Sequence, residues 1–230
     1  QIPYPIDSKE KTVDYRGGNI VNILVIHSHN ANRGDEAAVK AMVDELLIKY
    51  PGAKITISNN GFTPYPGMPE NVIQIDRFPK LESRIAQLEF FIVLLFKGKF
   101  ALTKEARKFI RALKEADVVL HAPGGPSIGD TYFKAEKLYL WRLNLIRRMG
   151  IPYIFYAPSM GPFNCASRNK LRKEVISGAE RIILRDPISV KYVKDFLPGV
   201  EVEQALDSAL QHDIDIDKNE RKYNNYPELK

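Results

Sequence analysis

The chain has 230 residues, of which 44% are apolar and 27% are charged, a composition typical of a globular domain rather than a disordered or fibrous chain. Its 34 basic and 28 acidic residues give a net charge of +6, which favours anionic partners such as phosphorylated sugars, nucleic acid or a membrane surface. The single cysteine, Cys165, excludes an internal disulfide scaffold, and the longest apolar run, Phe90 to Phe96, is too short to span a bilayer.

The first recognisable unit is a strand, a loop and a helix. Ile20 to His27 is mostly β-branched, which predicts a strand buried on both faces of a parallel sheet. A polar turn follows and ends at Gly34, after which apolar residues recur at helical spacing. Backbone N–H groups and the helix dipole would favour an anion at this loop. Alternatively, Asp35 and Glu36 are ordinary first-turn carboxylates that offset the dipole.

Strands and helices then alternate along the chain. The pattern predicts further strands at Ala53 to Ser58, Val72 to Asp76, Asp117 to His121, Ile151 to Tyr156, Arg181 to Leu184 and Val200 to Gln204. It predicts helices within Leu81 to Ala116 (two, broken near Lys97-Gly98-Lys99), from about Thr131 to Met149, from Ala166 or Ser167 to Ser177, and from Pro187 with Asp186 as N-cap. This alternation predicts an α/β fold with a Rossmann-like, mostly parallel sheet flanked by helices.

The run from Phe90 to Phe96 has two interpretations. We favour a helix buried under the sheet, because apolar residues of this size are most often core residues. The alternative is docking on an anionic membrane face or on a partner, since Arg84 precedes the run and Lys97 and Lys99 follow it.

The loop after the strand Asp117 to His121 is the strongest candidate site. Gly124 and Gly125 would let the backbone approach a ligand closely, and Ser127 offers a hydroxyl. A tight connection from strand to helix also needs glycine, so a purely structural role is the alternative. His121 at the strand end is more often a structural histidine, although acid–base chemistry is open to it.

Later strands end in similar loops. Ser159 and Gly161 follow one strand, Arg185 follows the next, and Asp207 follows the last. A guanidinium at a strand end can bind a carboxylate or phosphate through two hydrogen bonds; the alternative for Arg185 is a salt bridge to Asp186 or Asp207.

Taken in order, these loops resemble those of the polysaccharide pyruvyl transferase family. The segments that carry the resemblance are Asn32-Arg33-Gly34-Asp35-Glu36-Ala37, Gly124-Gly125, Ser159-Met160-Gly161-Pro162, Arg185-Asp186 with Ser189, and Asp207-Ser208-Ala209. The resemblance implies a lobe like the N-terminal lobe of B-type glycosyltransferases. It also implies transfer of a pyruvyl ketal from phosphoenolpyruvate to a sugar of a cell-surface polysaccharide or its precursor, with no other cofactor and no metal. The candidate ligand-binding residues are Asn32, Gly34, Asp35, Glu36, Gly124, Gly125, Ser127, Ser159, Gly161, Arg185 and Asp207.

The same resemblance sets the expected domain organisation. We expect an N-terminal arm over residues 1–18, the Rossmann-like lobe over 19–212 and a linker over 213–230 towards a second lobe. One lobe would form one wall of a crevice, so we expect this chain to be inactive alone as a transferase and to self-associate through exposed apolar surface. The expected location is the cytoplasm, with peripheral contact at the inner face of the membrane.

Two other functions fit the same pattern. This lobe could belong to a nucleotide-sugar-dependent glycosyltransferase, or it could be a non-catalytic sugar-binding module. Nucleic-acid binding ranks last, because basic residues are scattered and no aromatic–basic stacking motif is present. The titratable groups at strand ends are His29, Asp35, Glu36 and His121, and their spacing leaves the catalytic acid and base open.

Overall fold

The computed structural model describes residues 21–60, 63–79 and 84–211. The predicted arm (1–18) and the predicted linker (213–230) lie outside the described residues. Within this part of the chain the elements are, in order, β1 (Asn22–Ser28), α1 (Arg33–Lys49), β2 (Lys54–Asn59), β3 (Val72–Asp76), α2 (Arg84–Leu95), α3 (Lys104–Glu115), β4 (Val118–His121), β5 (Gly124–Ile128), α4 (Phe133–Met149), β6 (Tyr153–Tyr156), β7 (Pro158–Met160), α5 (Ala166–Ser177), β8 (Arg181–Leu184), α6 (Pro187–Phe196) and β9 (Glu203–Gln204).

Among the described residues, seven strands form one sheet in the order β3-β2-β1-β4-β6-β8-β9. Every neighbouring pair in it is parallel. The predicted Rossmann-like α/β fold is therefore confirmed. The strand order reverses between β1 and β4, because the chain leaves β1 towards one edge of the sheet and leaves β4 towards the other.

Helices cover both faces of the sheet, but unequally. Successive residues of β1 point to opposite faces, so Ile23 and Val25 pack under α1 while Leu24 and Ile26 pack under the other helices. The face shared with α1 also receives the 3₁₀ turn Ser208–Gln211, whose Ser208 hydroxyl donates to the Ala38 carbonyl. The other face buries residues from each of α2 to α6.

Two short strands were not predicted from the sequence. β5 and β7 pair in parallel as a small second sheet, within segments predicted as loops. Their pairing brings the loops after β4 and β6 together, with Gly161 N donating to the Ile128 carbonyl at 2.8 Å. The loops that follow two central strands are thus fixed to one another.

The prediction of a buried helix at Phe90 to Phe96 is correct for one side of α2 only. Phe90 and Val93 are fully buried, whereas Phe91, Leu95 and Phe96 are exposed. The predicted break near Lys97-Gly98-Lys99 is confirmed, because α2 ends at Leu95 and α3 begins at Lys104.

Candidate functional site

A cleft of about 240 Å³ opens where the strand order reverses. In open parallel sheets the loops after the two diverging strands separate at this point and leave a crevice at the carboxyl edge. The cleft is lined by the end of β1 and its loop, the start of α1, the loop after β4 and one side of the start of α4. The lining residues are His27, His29, Ala31, Asn32, Asp35, His121, Ala122, Pro123, Gly124, Gly125, Ser127, Tyr132, Ala135 and Tyr139.

His121 and Ser127 form a hydrogen-bonded pair at the base of this loop. His121 Nδ1 lies 2.9 Å from the Ala122 carbonyl oxygen, which can only accept, so Nδ1 carries the hydrogen. Burial lowers the pKa of His121 to about 4, so the ring is neutral at pH 7 and Nε2 is a bare acceptor. The Ser127 hydroxyl, 2.7 Å from Nε2, therefore donates to it. The lone pairs of Ser127 remain available to accept a hydrogen bond in the cleft.

Two further histidines stand beside this pair. His29 Nε2 shares a 2.7 Å hydrogen bond with the Tyr139 hydroxyl. His27 is buried, and its ring centroid lies 4.6 Å from that of His121 and 4.4 Å from that of Tyr139. Neither ring nitrogen of His27 has a hydrogen-bond partner among the described residues. Burial is the main cause that lowers the pKa values of His27 and His29, so both rings are also neutral at pH 7.

A buried arginine explains part of these pKa shifts. Arg142 of α4 is fully buried, and its positive charge lowers the pKa values of His27 and His29 further. Its Nε donates to the Phe78 carbonyl at 2.5 Å and its Nη1 to Asn60 Oδ1 at 2.7 Å, both neutral acceptors. No described carboxylate forms an ion pair with it. Burial lowers its pKa to about 9, so its charge persists at pH 7.

The start of α1 supplies the acidic side of the cleft. Asn32 caps the helix, with Oδ1 accepting from Gly34 N at 2.9 Å. Asp35 lies against the loop after β4, because Gly124 has no Cβ: one built there would be 2.9 Å from Asp35 Oδ1, and Gly124 has a φ of +140°. The positive φ favours glycine at this position, and the missing Cβ leaves room for the Asp35 carboxylate. Asn32, Asp35, Gly124, Gly125 and Ser127 are brought together as predicted site residues.

Glu36 does not line the cleft. Its carboxylate pairs with Arg33 at 2.8 Å and with Lys40 at 3.3 Å on the same helix. Burial alone would raise its pKa, but the hydrogen bonds from these two side chains outweigh burial and hold the pKa below its ordinary value. Here Glu36 stabilises α1. Gly34 belongs to the helix cap.

The remaining predicted residues form a separate cluster after β6 and β8. Arg185 Nε donates to Ser159 Oγ at 2.9 Å, and Nη1 donates to Asp207 Oδ2 at 2.5 Å. The salt bridge considered as the alternative for Arg185 is thus present with Asp207. Ser159 in turn donates to Asp186, which caps α6 as predicted by accepting from Ser189 N. None of these residues lines the cleft.

Gly161 holds this cluster against the rest of the site. It has a φ of +86°, and a Cβ there would lie 2.7 Å from Tyr192 side-chain atoms. Its carbonyl also approaches Gly129 so closely that a Cβ at Gly129 would clash with it. In this structure Gly161 therefore serves close packing between loops.

Sequence reasoning missed His27, Tyr132 and Tyr139 as cleft residues. His27 closes an apolar run and was included in the strand. Tyr132, Ala135 and Tyr139 recur at spacings of three and four, the spacing of one helix face, and that pattern is the signal by which the sequence could have indicated them. Among the described residues, no group of three or more His, Cys, Asp or Glu side chains is arranged to hold a metal ion.

A parallel sheet with a cleft at its reversal point, walled by a helix N-terminus and a glycine-rich loop, defines a Rossmann-like lobe. The family model described as Polysaccharide pyruvyl transferase matches residues 32–229. The chain therefore belongs to the polysaccharide pyruvyl transferase family, which is a family of transferases. No curated protein matches the chain.

Proposed function

We propose that the protein transfers a pyruvyl group from phosphoenolpyruvate to a pair of sugar hydroxyls, forming a ketal on a cell-surface polysaccharide or its precursor. Family membership supports the reaction class. The observation that carries the proposal for this chain is a free acceptor in the cleft with a buried positive charge behind it. Ser127 lines the cleft and is left free to accept from a hydroxyl. Arg142 does not line the cleft, but it lies close enough to lower the pKa values of His27 and His29, and no described carboxylate neutralises its charge.

The donor is the anionic substrate in this scheme. Phosphoenolpyruvate carries a phosphate and a carboxylate, so a net positive field favours it. The N-terminus of α1, a helix of 17 residues, opens at the cleft, and Arg142 adds a full charge close enough to shift two cleft histidines. Because His27, His29 and His121 are neutral, the positive contributions come from the helix N-terminus and Arg142, and the carboxylate of Asp35 opposes them.

The acceptor hydroxyls must lose their protons. Of the two hydroxyl protons, one ends on the methylene carbon of the donor, which becomes a methyl group, and the other leaves with the phosphate. Side chains that accept hydrogen bonds from hydroxyls are therefore needed near the reacting atoms. Ser127 and Asp35 both line the cleft and can accept. We assign Ser127 to the acceptor sugar, because its hydrogen is committed to His121 and it has none to offer an anion.

The test is a transfer assay with phosphoenolpyruvate and galactose- or mannose-type acceptors. It measures acceptor-dependent phosphate release and the ketal product, for this chain and for a form extended to include a second lobe. Ketal formation supports the proposal. Activity only in the longer form supports the expectation that this lobe forms one wall of the active-site crevice and is inactive alone. Transfer from nucleotide sugars instead would show a glycosyltransferase, and sugar binding without either reaction would show a binding module.

Replacing Ser127 tests its assigned substrate. In an active form, Ser127→Ala should raise the KM for the sugar about 3- to 10-fold, which corresponds to the loss of one hydrogen bond of about 0.5–1.5 kcal/mol. The affinity for phosphoenolpyruvate should stay unchanged. Ser177→Ala, an exposed serine at the end of α5, is the matched control. Weaker phosphoenolpyruvate binding with an unchanged sugar KM would assign Ser127 to the donor instead.

A further inference from the structure

Helix α2 is apolar on both of its sides, but only one side is buried. Glu89, Phe90 and Val93 face the core, where the Phe90 ring stacks on Trp141 with centroids 5.7 Å apart. A second set of side chains lies within about one third of the helix circumference on the other side, at 100° per residue. Of these, Ile85 is 77% exposed, Leu88 63% and Leu95 64%.

The exposed apolar surface continues past the end of α2. The rings of Phe96 and Phe100 meet edge to face with centroids 4.9 Å apart, and both are exposed, as is Leu102. Buried Glu89 holds this loop by accepting from the backbone N–H groups of Leu102 and Thr103, each at 2.7 Å. These apolar side chains are therefore presented by an anchored segment. We name the set Ile85, Leu88, Phe91, Leu95, Phe96, Phe100 and Leu102 the α2 surface.

The exposed charges within the segment that carries the α2 surface have one sign, and the next acidic residue, the partly exposed Glu105, follows it on α3. From residue 84 to residue 104 the exposed charged side chains are Arg84, Lys97, Lys99 and Lys104, all basic. The acidic residue of this segment, Glu89, is buried and its oxygens are occupied by the loop. Lys137 of α4 extends the basic rim, with Nζ 4.5 Å from the centroid of the Trp141 ring that also contacts Phe91.

We infer that the α2 surface docks on a lipid bilayer containing anionic phospholipids. Its apolar side chains would enter the region between headgroups and acyl chains, while the basic rim would pair with lipid phosphates. A second copy of the chain fits less well, because it would bring two basic rims together. No helix in the described part of the chain is long and apolar enough to span a bilayer. The inference does not depend on the proposed reaction.

The experiment is flotation of the purified 230-residue chain with vesicles, in the absence of any substrate. One set of vesicles contains phosphatidylcholine alone and the other also contains phosphatidylglycerol. The α2 surface is tested by the double variant Leu88→Ser with Leu95→Ser, and its rim by Lys97→Glu with Lys99→Glu. The control is Ile188→Ser with Lys194→Glu on α6, because Ile188 is also 63% exposed and Lys194 is also exposed.

The chain should float with the phosphatidylglycerol vesicles, and added salt should weaken its binding. Each α2 variant should lower the bound-to-free ratio at least about tenfold, and the α6 control should leave it unchanged. Circular dichroism of every variant checks folding. Absence of flotation, equal binding to both kinds of vesicle, or equal losses in the control would overturn the inference. A dimer that Leu88→Ser with Leu95→Ser dissociates, without lipid binding, would show that the surface joins two copies of the chain.

Discussion

Arg142 and Arg172 are both fully buried, yet their surroundings are opposite. Arg172 of α5 contacts two carboxylates, with Nε 2.7 Å from Glu136 Oε1 and Nη2 2.6 Å from Asp130 Oδ1. Glu136 is also bound by Arg168 and by the backbone N–H of Gly129. Arg142, beside the cleft, contacts only neutral oxygens among the described residues.

This difference indicates that Arg172 has a structural role and that Arg142 belongs to the candidate binding site. The network of Arg172, Glu136, Asp130 and Arg168 is internally neutral and ties α4, α5 and the turn after β5 together. Its carboxylates keep the pKa of Arg172 above its ordinary value in spite of burial. Arg142 carries a charge that no described carboxylate neutralises, which is unfavourable in a buried position. An anionic ligand in the adjacent cleft would relieve that cost, so we interpret Arg142 as part of the binding machinery.

The largest expected effect is on stability. Arg172→Met leaves the fully buried Glu136 without its main partner and should lower the free energy of unfolding by about 3–5 kcal/mol. Arg142→Met leaves no described carboxylate unpaired and should cost less, about 1–3 kcal/mol for the two lost hydrogen bonds. Urea denaturation of both variants measures the difference. Equal losses would remove the distinction between the two arginines.

Arg185 is the intermediate case, because it is half-buried and has one carboxylate partner, Asp207. If it binds the donor, Arg185→Lys should weaken phosphoenolpyruvate binding in an active form by about 1.5–3 kcal/mol, the range for hydrogen bonds to charged groups. Lysine keeps the charge but loses the two-point geometry. Calorimetric titration measures the affinity, and Arg181→Lys, paired with Glu203 at the edge of the sheet, is the control. An unchanged affinity would make Arg185 a structural residue.

The histidines beside Arg142 should make the stability of the protein depend on pH. The folded-state pKa of His121 is about 4, against 6.5 when unfolded, so below pH 6.5 the unfolded chain binds a proton that the folded chain does not. Stability should therefore fall between pH 6.5 and about 4, by about 2 kcal/mol at pH 5 from His121 alone. His27 and His29 shift in the same direction and add to the loss.

Urea midpoints at pH 7 and pH 5 measure this loss, and His121→Gln should reduce it. The stability contributed by the network around Arg172 depends on pH in a different, more acidic range. Burial would raise the pKa of Asp130, but hydrogen bonds from Arg172 and the loop outweigh burial and lower it. Its stabilising contribution is therefore lost only below the ordinary pKa of an aspartate. An unchanged midpoint between pH 7 and pH 5 would contradict the neutral state assigned to the histidines.

The smallest expected effect is on ligand affinity at Arg142. If its charge acts across the cleft, Arg142→Met should weaken phosphoenolpyruvate binding by about 1–2 kcal/mol, the energy of a charge pair roughly 8–16 Å apart at an effective dielectric constant of about 20. Arg172→Met, tested where it remains folded, should leave the affinity nearly unchanged. A larger loss of affinity for Arg172→Met than for Arg142→Met would show that Arg172 supplies the charge that attracts the ligand.

The elements with local signals were predictable from the sequence. Val72–Asp76 and Arg181–Leu184 have their predicted bounds, because short apolar runs between turn residues mark strands. Asp186 caps α6 with Pro187 as the first helical residue, a signal contained in two adjacent positions. The loops at the carboxyl ends of strands were likewise predictable from the alternation of elements.

The missed features depend on distant residues. β5 and β7 are rich in glycine and proline, and they form strands only because they pair with one another across the fold. The acceptors of Arg142 lie 64 and 82 residues earlier in the chain, so its lack of a carboxylate partner has no local signal. The separation of Arg185 from the cleft has the same origin, since its partner Asp207 follows a later strand.

The hydrogen bond from Ser208 to Ala38 has a consequence for the order in which the protein folds. It joins residues 170 positions apart and attaches the last described turn to the first helix. The central neighbours β1 and β4 are also distant in sequence, so the chain must leave the ribosome as far as His121 before these two strands can pair. Until residues 208–211 emerge, α1 lacks the turn that packs against it. A nascent chain that pauses before Ser208 would present that side of α1 to chaperones.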